Sequence, residues 1–125
     1  MKPRRHVILF QSRFADLVES GVKPHTIRPE RKRPIHVGDT LDLRAWSGLP
    51  YRSKQRKLRI AVCLTVREIE VNKLKGLISL EGDLLTRMKA DMLALSDGFR
   101  DRGDMADWFE NMHGLPFKGV LIEWA

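Results

Sequence analysis

Residues 21–28 read Gly-Val-Lys-Pro-His-Thr-Ile-Arg, and residues 37–41 read Val-Gly-Asp-Thr-Leu. The glycine that opens the first stretch is suited to end a helix. The Thr26-Ile27-Arg28 segment is typical of a short extended piece of chain. The Gly38-Asp39 pair indicates a turn directly before a new strand. This part of the sequence therefore predicts a helix end, a short strand, a turn and a second strand in succession.

The residues before this stretch predict a strand followed by a helix. Val7–Phe10 is β-branched and aromatic, as in a buried strand. Ser12 is placed to cap the next helix. Phe14, Leu17 and Val18 have helical spacing and form its apolar stripe. The sequence so far predicts β-α-β-β, with a basic, proline-containing loop over residues 29–38.

Downstream, two segments alternate with the two-residue period of a strand. Residues 41–46 predict a half-buried strand, and residues 47–57 form a second basic loop. The cleanest alternation in the chain predicts a long strand, and its apolar positions are Leu58, Ile60, Val62, Leu64 and Val66. A further short strand at 76–80 is only weakly indicated.

The C-terminal part is mainly helical in pattern. Two apolar stripes with helical spacing predict core-packing helices, one with Met88, Met92 and Leu95 and one with Met105, Trp108, Phe109 and Met112. Residues 119–124 predict a closing strand. Short strands spread along the chain, with helices between them, favour an α+β fold. We predict one domain over residues 1–125, a small mixed β-barrel of about five or six strands with two or three flanking helices.

Charge is unevenly distributed along the chain. Residues 1–59 hold 15 Lys/Arg and 5 Asp/Glu, a balance of +10, whereas residues 60–125 hold 8 and 11, a balance of −3. Such asymmetry predicts one basic face that attracts polyanions, and RNA is the expected partner. A solubilising basic surface is the alternative interpretation.

Several function classes lack their sequence signals. The apolar runs are too short to span a membrane, and no signal peptide precedes the first strand, so we expect a cytoplasmic protein without a membrane partner. Cys63 lies in an alternating apolar segment, which predicts a structural role for this residue. The four histidines have no metal-ligand spacing, and no nucleotide-binding loop is present, so no metal or cofactor is predicted. A monomer is the expected state.

The two stretches quoted first, together with Ser96-Asp97-Gly98-Phe99, resemble the ASCH domain family. The resemblance rests on a helix, glycine, lysine and Thr-x-Arg strand, a Gly-Asp turn, and an acidic-Gly-Phe element before a helix with Trp108. It covers nearly the whole chain. It implies a PUA-like barrel with a cleft between barrel and helices, and a role in RNA metabolism.

One branch of that family removes the acetyl group from N4-acetylcytidine with a lysine, a threonine and an acidic residue. Carried over by position, these fall on Lys23, Thr26 and Asp97, where the branch has glutamate. A buried lysine of lowered pKa can act as the base that activates a threonine hydroxyl. The resemblance therefore implies an amidohydrolase. Other family members are RNA-binding modules or ribonucleases, and both alternatives stay open.

Ligand contacts are predicted from residue type and position. Arg28 can fork onto two oxygens of a ligand, and Tyr51 and Trp46 can stack a base beside positive charge. Basic side chains of the two loops are expected to contact phosphates. The full set of predicted binding residues is His25, Arg28, Arg31, Lys32, Arg33, Arg44, Trp46, Tyr51, Arg52 and Lys54.

Overall fold

A computed structural model describes residues 2–125 and has an α+β fold of seven strands and three helices. The strands are β1 (Arg5–Phe10), β2 (His25–Arg28), β3 (Thr40–Trp46), β4 (Gln55–Val71), β5 (Ile78–Leu80), β6 (Asp83–Leu84) and β7 (Phe117–Trp124). The helices are α1 (Ser12–Ser20), α2 (Arg87–Ser96) and α3 (Arg102–His113). In this part of the chain no helix has the length and apolar character needed to cross a membrane.

The strands form one mixed sheet organised around the long strand β4. Its first half pairs antiparallel with β3, and β3 pairs in parallel with β1. Its second half pairs antiparallel with β5 and β7, and β7 pairs with β2. A strand of 17 residues can therefore serve two parts of the sheet, and it brings β1 and β2 to the two sides of one cleft.

The sheet is open between β1 and β2, so the predicted closed barrel is not established. Arginine side chains bridge this gap in place of backbone pairing. Arg28 donates to the carbonyl of Leu9 at 2.7 Å, and Arg31 donates to the carbonyl of Val7 at 3.0 Å. The guanidinium groups satisfy strand carbonyls that a neighbouring strand would otherwise pair.

Helix α1 covers the inward face of β1, β3 and β4. Phe14 and Val18 of the predicted stripe are buried, Leu17 is partly buried, and Ala15 is buried beside them. Gly21 ends the helix in the left-handed conformation (φ 85°), also as predicted. The predicted cap is wrong, because Gln11 occupies the cap position and Ser12 is the first residue of the helix.

The predicted core stripe of α2 is wrong. Met88, Met92 and Leu95 are 73%, 62% and 64% exposed. Ala90 and Ala94 are the buried residues of this helix, and α2 contacts α3. Small side chains let two helices approach closely, so size decided the packing face rather than hydrophobicity.

Two other apolar patterns have different outcomes. On β4, Ala61 and Cys63 are buried, whereas Ile60, Val62 and Leu64 are about half exposed. The strand itself is confirmed, and Leu58 is buried as predicted, but the apolar side chains at 60, 62 and 64 lie on the outer face. On α3 the predicted core residues Met105 and Phe109 are fully buried and Trp108 is partly buried, whereas Met112 is 51% exposed.

Candidate active site

A cleft of about 410 Å³ lies where β1, β2 and β3 meet helices α1 and α3. Its volume is within the range of small-molecule sites. Aromatic side chains form much of its wall, and a few polar groups converge on it. The lining residues used below are Phe10, Phe14, Lys23, Thr26, Arg28, Trp46, Tyr51, Asp97, Phe99 and Trp108.

Lys23 is placed in the cleft by the way α1 ends. After Gly21 the chain reverses, and the backbone N–H of Lys23 donates to the carbonyl of Leu17 at 2.9 Å. The side chain is 3% exposed. Its Nζ donates to the backbone carbonyl of Asp97 at 2.8 Å and to the Oδ1 of the same residue. A lysine close to β2 is thus anchored to the end of α2, far away in sequence.

The environment of Lys23 makes its amine easier to deprotonate than that of an ordinary lysine. Burial lowers the pKa of Lys23; the carboxylate of Asp97 opposes this effect, and the positive charges of Arg28 and Arg13 add to it. Two cation–π contacts act in the opposite direction and favour the ammonium, since Nζ lies 5.3 Å from the centre of the Phe14 ring and 5.8 Å from that of Phe10. A desolvated amine held by one carboxylate is the arrangement expected of a catalytic base.

Asp97 is positioned by two elements at once. It follows the last residue of α2, and its backbone N–H donates to the carbonyl of Leu93 at 3.0 Å. Its Oδ1 accepts from Lys23 and lies 2.9 Å from the Nδ1 of His25. Among residues 2–125, the side-chain hydrogen bonds to this carboxylate go to Oδ1 and not to Oδ2. The next residue, Gly98, has φ 101°, and a Cβ there would lie 3.0 Å from the Phe14 ring.

Thr26 and Arg28 lie on the same side of β2, two residues apart, and both line the cleft. The Nε of Arg28 donates to the Thr26 hydroxyl at 3.1 Å. Burial lowers the pKa of Arg28 to about 10, Asp97 opposes that shift, and Arg31 contributes to it. The guanidinium therefore places positive charge beside the hydroxyl oxygen. The predicted trio of Lys23, Thr26 and Asp97 shares one cleft.

Trp46 and Tyr51 form an aromatic pair at the cleft. Their ring centres are 5.0 Å apart, and Tyr51 is 87% exposed on the loop after β3. The loop is braced by hydrogen bonds from Gly48 to Ser53 and from Ser53 to the carbonyl of Leu49. Both aromatic side chains line the cleft, and their stacking on a ligand stays a prediction.

The other predicted binding residues lie elsewhere. His25 is buried behind Asp97 and does not line the cleft. Arg31 reaches towards β1, and Arg44 donates to Asp42 at 2.6 Å and to Gln55 at 2.9 Å. These three side chains hydrogen-bond to other residues of the protein and are not directed into the cleft. The remaining four are exposed basic side chains outside the cleft lining, namely Lys32, Arg33, Arg52 and Lys54.

Sequence reasoning missed several residues of this site. Arg13 lies 4.6 Å over the Phe14 ring and 5.4 Å over Phe99, although an exposed helical arginine carries no pattern that marks it. Trp108 was assigned only to core packing, yet it lines the cleft. Ser96 hydrogen-bonds to His25 at 2.9 Å. In the sequence, the only indication that these residues belong near the site is that they lie close to the acidic-Gly-Phe element or in the aromatic stripe.

Comparisons with known proteins found no matching protein family, no similar characterised protein and no similar solved structure. The assignment of function therefore depends on the geometry of the cleft. Over residues 2–125 no group of three or more His, Cys, Asp or Glu side chains is placed to hold a metal ion.

Proposed function

We propose that this chain is an amidohydrolase of the ASCH type that removes an acyl group from the exocyclic amine of a nucleoside such as N4-acetylcytidine. One observation carries the proposal: the buried amine of Lys23, held by Asp97, shares an aromatic cleft with the hydroxyl of Thr26. These are the three chemical groups that the family resemblance assigned to the reaction.

The chemistry follows from these groups. Neutral Lys23 takes the proton of the Thr26 hydroxyl as the oxygen attacks the acetyl carbonyl carbon. Arg28, which already donates to that hydroxyl, contributes positive charge near the developing oxyanion. The C–N4 bond breaks, and the proton on Lys23 passes to the departing amine. Water then hydrolyses the acetyl-threonine ester with Lys23 again as base, giving acetate.

The cleft suits a pyrimidine nucleoside. Aromatic walls favour a flat ring, and stacking on such side chains is worth about 1–3 kcal/mol per base. Asp97 Oδ2 is available to accept a hydrogen bond from the amide N–H of the substrate. Trp46 and Tyr51 lie at the part of the cleft formed by the β3 loop, where the sugar or a flanking base has access to solvent.

The PUA-like barrel belongs to the same proposal. The strands β1 and β2 flank the cleft, and arginine side chains bridge them where a barrel would close. We take this arrangement as an ASCH-type barrel that is left open at the ligand site.

The decisive experiment measures acetate and cytidine released from N4-acetylcytidine by the wild type and by Lys23→Ala, Thr26→Ala and Asp97→Ala. We expect turnover by the wild type and a loss of at least about 100-fold in each variant, as for removal of a catalytic group. Lys57→Ala and Asp83→Ala are matched controls, because both residues are exposed and outside the cleft.

Absence of turnover by the wild type, with the protein folded, would overturn the amidohydrolase proposal. So would a Thr26→Ala variant that forms cytidine at the wild-type rate, because that variant lacks the attacking oxygen.

A non-catalytic RNA-binding module is the second candidate. The exposed Tyr51, paired with Trp46 beside Arg52 and Lys54, favours it, because aromatic and basic side chains together hold single-stranded RNA. The same cleft would then hold one unpaired base without cleaving a bond. Filter binding of a short labelled RNA by the wild type and by Tyr51→Ala tests this candidate.

A further inference from the structure

His25 connects β2 to the end of α2 through both nitrogens of its ring. Its Nδ1 lies 2.9 Å from Asp97 Oδ1, and its Nε2 lies 2.9 Å from Ser96 Oγ. The side chain is 6% exposed. A ring that is buried and engaged on both sides has one orientation available to it.

The hydrogen-bond pattern decides the role of Nδ1, because an ionised carboxylate oxygen only accepts. Asp97 Oδ1 already accepts from Lys23, so Nδ1 of His25 must be the donor to that oxygen. Nε2 can accept from the Ser96 hydroxyl. Alternatively a charged ring donates to Ser96, whose hydroxyl then donates to the carbonyl of Leu93 at 3.1 Å. In both arrangements the N–H at Nδ1 stays on Asp97.

Serine, histidine and aspartate also stand in the order of a hydrolase triad, but this site lacks the donors that such chemistry needs. Ser96 is the last residue of α2, where backbone carbonyls cluster. The neighbouring N–H groups of Asp97 and Gly98 already donate to carbonyls of Leu93, Ala94 and Leu95. No free N–H pair is left beside Ser96 for an oxyanion.

We propose that His25 is a positioning residue that holds the Asp97 carboxylate against Lys23. The inference rests on the proposed function of the cleft. Lys23 anchors Oδ1 from one side and His25 from another, so the carboxylate cannot rotate away. Asp97 in turn holds the amine of Lys23 in the cleft that Thr26 also lines. A shift of about 1 Å in a catalytic group can cost on the order of 100-fold in rate.

Two isosteric variants separate this role from simple packing. The side-chain amide nitrogen of asparagine can take the place of Nδ1, and that of glutamine can take the place of Nε2. His25→Asn therefore keeps a donor to Asp97 and loses the contact with Ser96. His25→Gln does the opposite, and His25→Ala loses both contacts.

The first measurement is kcat and KM for N4-acetylcytidine with the wild type, the three His25 variants and Ser96→Ala. We expect His25→Gln and His25→Ala to lose about 10- to 100-fold in kcat with little change in KM. His25→Asn and Ser96→Ala should stay within about threefold of the wild type. Wild-type kcat in His25→Gln, or equal losses in the Asn and Gln variants, would overturn the proposal.

The second measurement does not depend on turnover. The pKa of Lys23 is followed by NMR in protein labelled with ¹³C at lysine Cε. Lys23 faces Asp97, Arg28 and Arg13, and His25 faces Asp97 and, across the β2–β7 pair, Glu123; every variant keeps these groups. We expect the same Lys23 pKa in the wild type and His25→Asn.

In His25→Gln and His25→Ala the Lys23 pKa should fall further, because the carboxylate that stabilises the ammonium is no longer fixed. An unchanged pKa in folded His25→Gln would overturn the positioning role even if the enzyme is active. If the wild type does not hydrolyse the nucleoside, the titration still tests the positioning role of His25. The lack of turnover would then contradict only the proposed reaction. Thermal unfolding of each variant identifies any that do not fold.

Discussion

At the residue scale, the proposed reaction requires a lysine whose amine can lose its proton. Burial lowers the pKa of Lys23, and nearby arginines add to the effect. The positions of Lys23, Thr26 and Asp97 could be predicted because the sequence around each carries a recognisable pattern. The connection from His25 to Asp97 could not, because it joins residues 72 positions apart and only folding brings them together.

Lys23→Arg tests whether the amine acts as a base. Arginine keeps the positive charge and much of the length, but its pKa is far too high for it to accept a proton near neutral pH. We expect kcat/KM to fall by about 100-fold or more. In the wild type, activity should fall as pH decreases through the Lys23 pKa, because protonation removes the base, and this fall should begin below the ordinary pKa of lysine.

The pH–rate profile from acid to alkaline pH is the measurement, with Lys57→Arg as the matched control on the surface. An arginine variant with wild-type activity would show that Lys23 serves only as a positive charge.

At the element scale, two elements bury small side chains where the sequence pattern predicted that large apolar ones would be buried. The sequence predicted helix α2 but assigned its methionines to the core, whereas two alanines take that position. The long strand β4 was predicted correctly, but Ile60, Val62 and Leu64 are about half exposed, while Ala61 and Cys63 between them are buried. A periodic pattern identifies the element, but the close approach of neighbouring elements decides which face is buried.

Gly119 on β7 shows how tightly two strands are joined beside the site. A Cβ at this position would lie 2.3 Å from the backbone carbonyl oxygen of Arg28 and 2.8 Å from the Phe117 ring. Gly119→Ala must therefore push β2 away from β7. We expect a loss of about 1–3 kcal/mol in the free energy of unfolding, as for other overpacked sites, and reduced activity, because Arg28 moves with β2.

Denaturant unfolding measures this effect. Gly48→Ala is the control, since its Cβ would meet Ser53 at an ordinary 3.5 Å. If the two alanine variants have the same free energy of unfolding, then β2 and β7 can move apart at little energetic cost.

At the scale of the whole molecule, positive charge is concentrated in the first 59 residues. These residues supply β1, β2, β3 and the two basic loops, and β1, β2 and β3 all contribute to the cleft. The sequence alone predicted this asymmetry, since counting charges needs no structure. It did not predict that Arg28 and Arg31 would donate to carbonyls of β1, because that strand is distant from them in sequence.

Two double variants of equal charge change test whether the basic loop binds RNA. Lys32→Glu with Arg33→Glu alters the loop before β3, and Lys73→Glu with Lys89→Glu alters the C-terminal half; all four side chains are exposed. We expect the loop variant to bind a short single-stranded RNA at least about tenfold more weakly at low salt and to show a smaller salt dependence. Hydrolysis of the free nucleoside should not change.

Fluorescence anisotropy at several salt concentrations is the measurement. If both double variants weaken binding equally, the RNA responds to net charge alone and not to the loop.

The outward methionines of α2 have a chemical consequence. Oxidants convert methionine to its sulfoxide, which is polar and fits poorly into a packed interior. Met88 and Met92 can accept that oxygen where only solvent surrounds them, whereas Met105 is fully buried against the core. Mild oxidation of this protein should therefore modify the surface of α2, and Met112 on α3, before it reaches the interior.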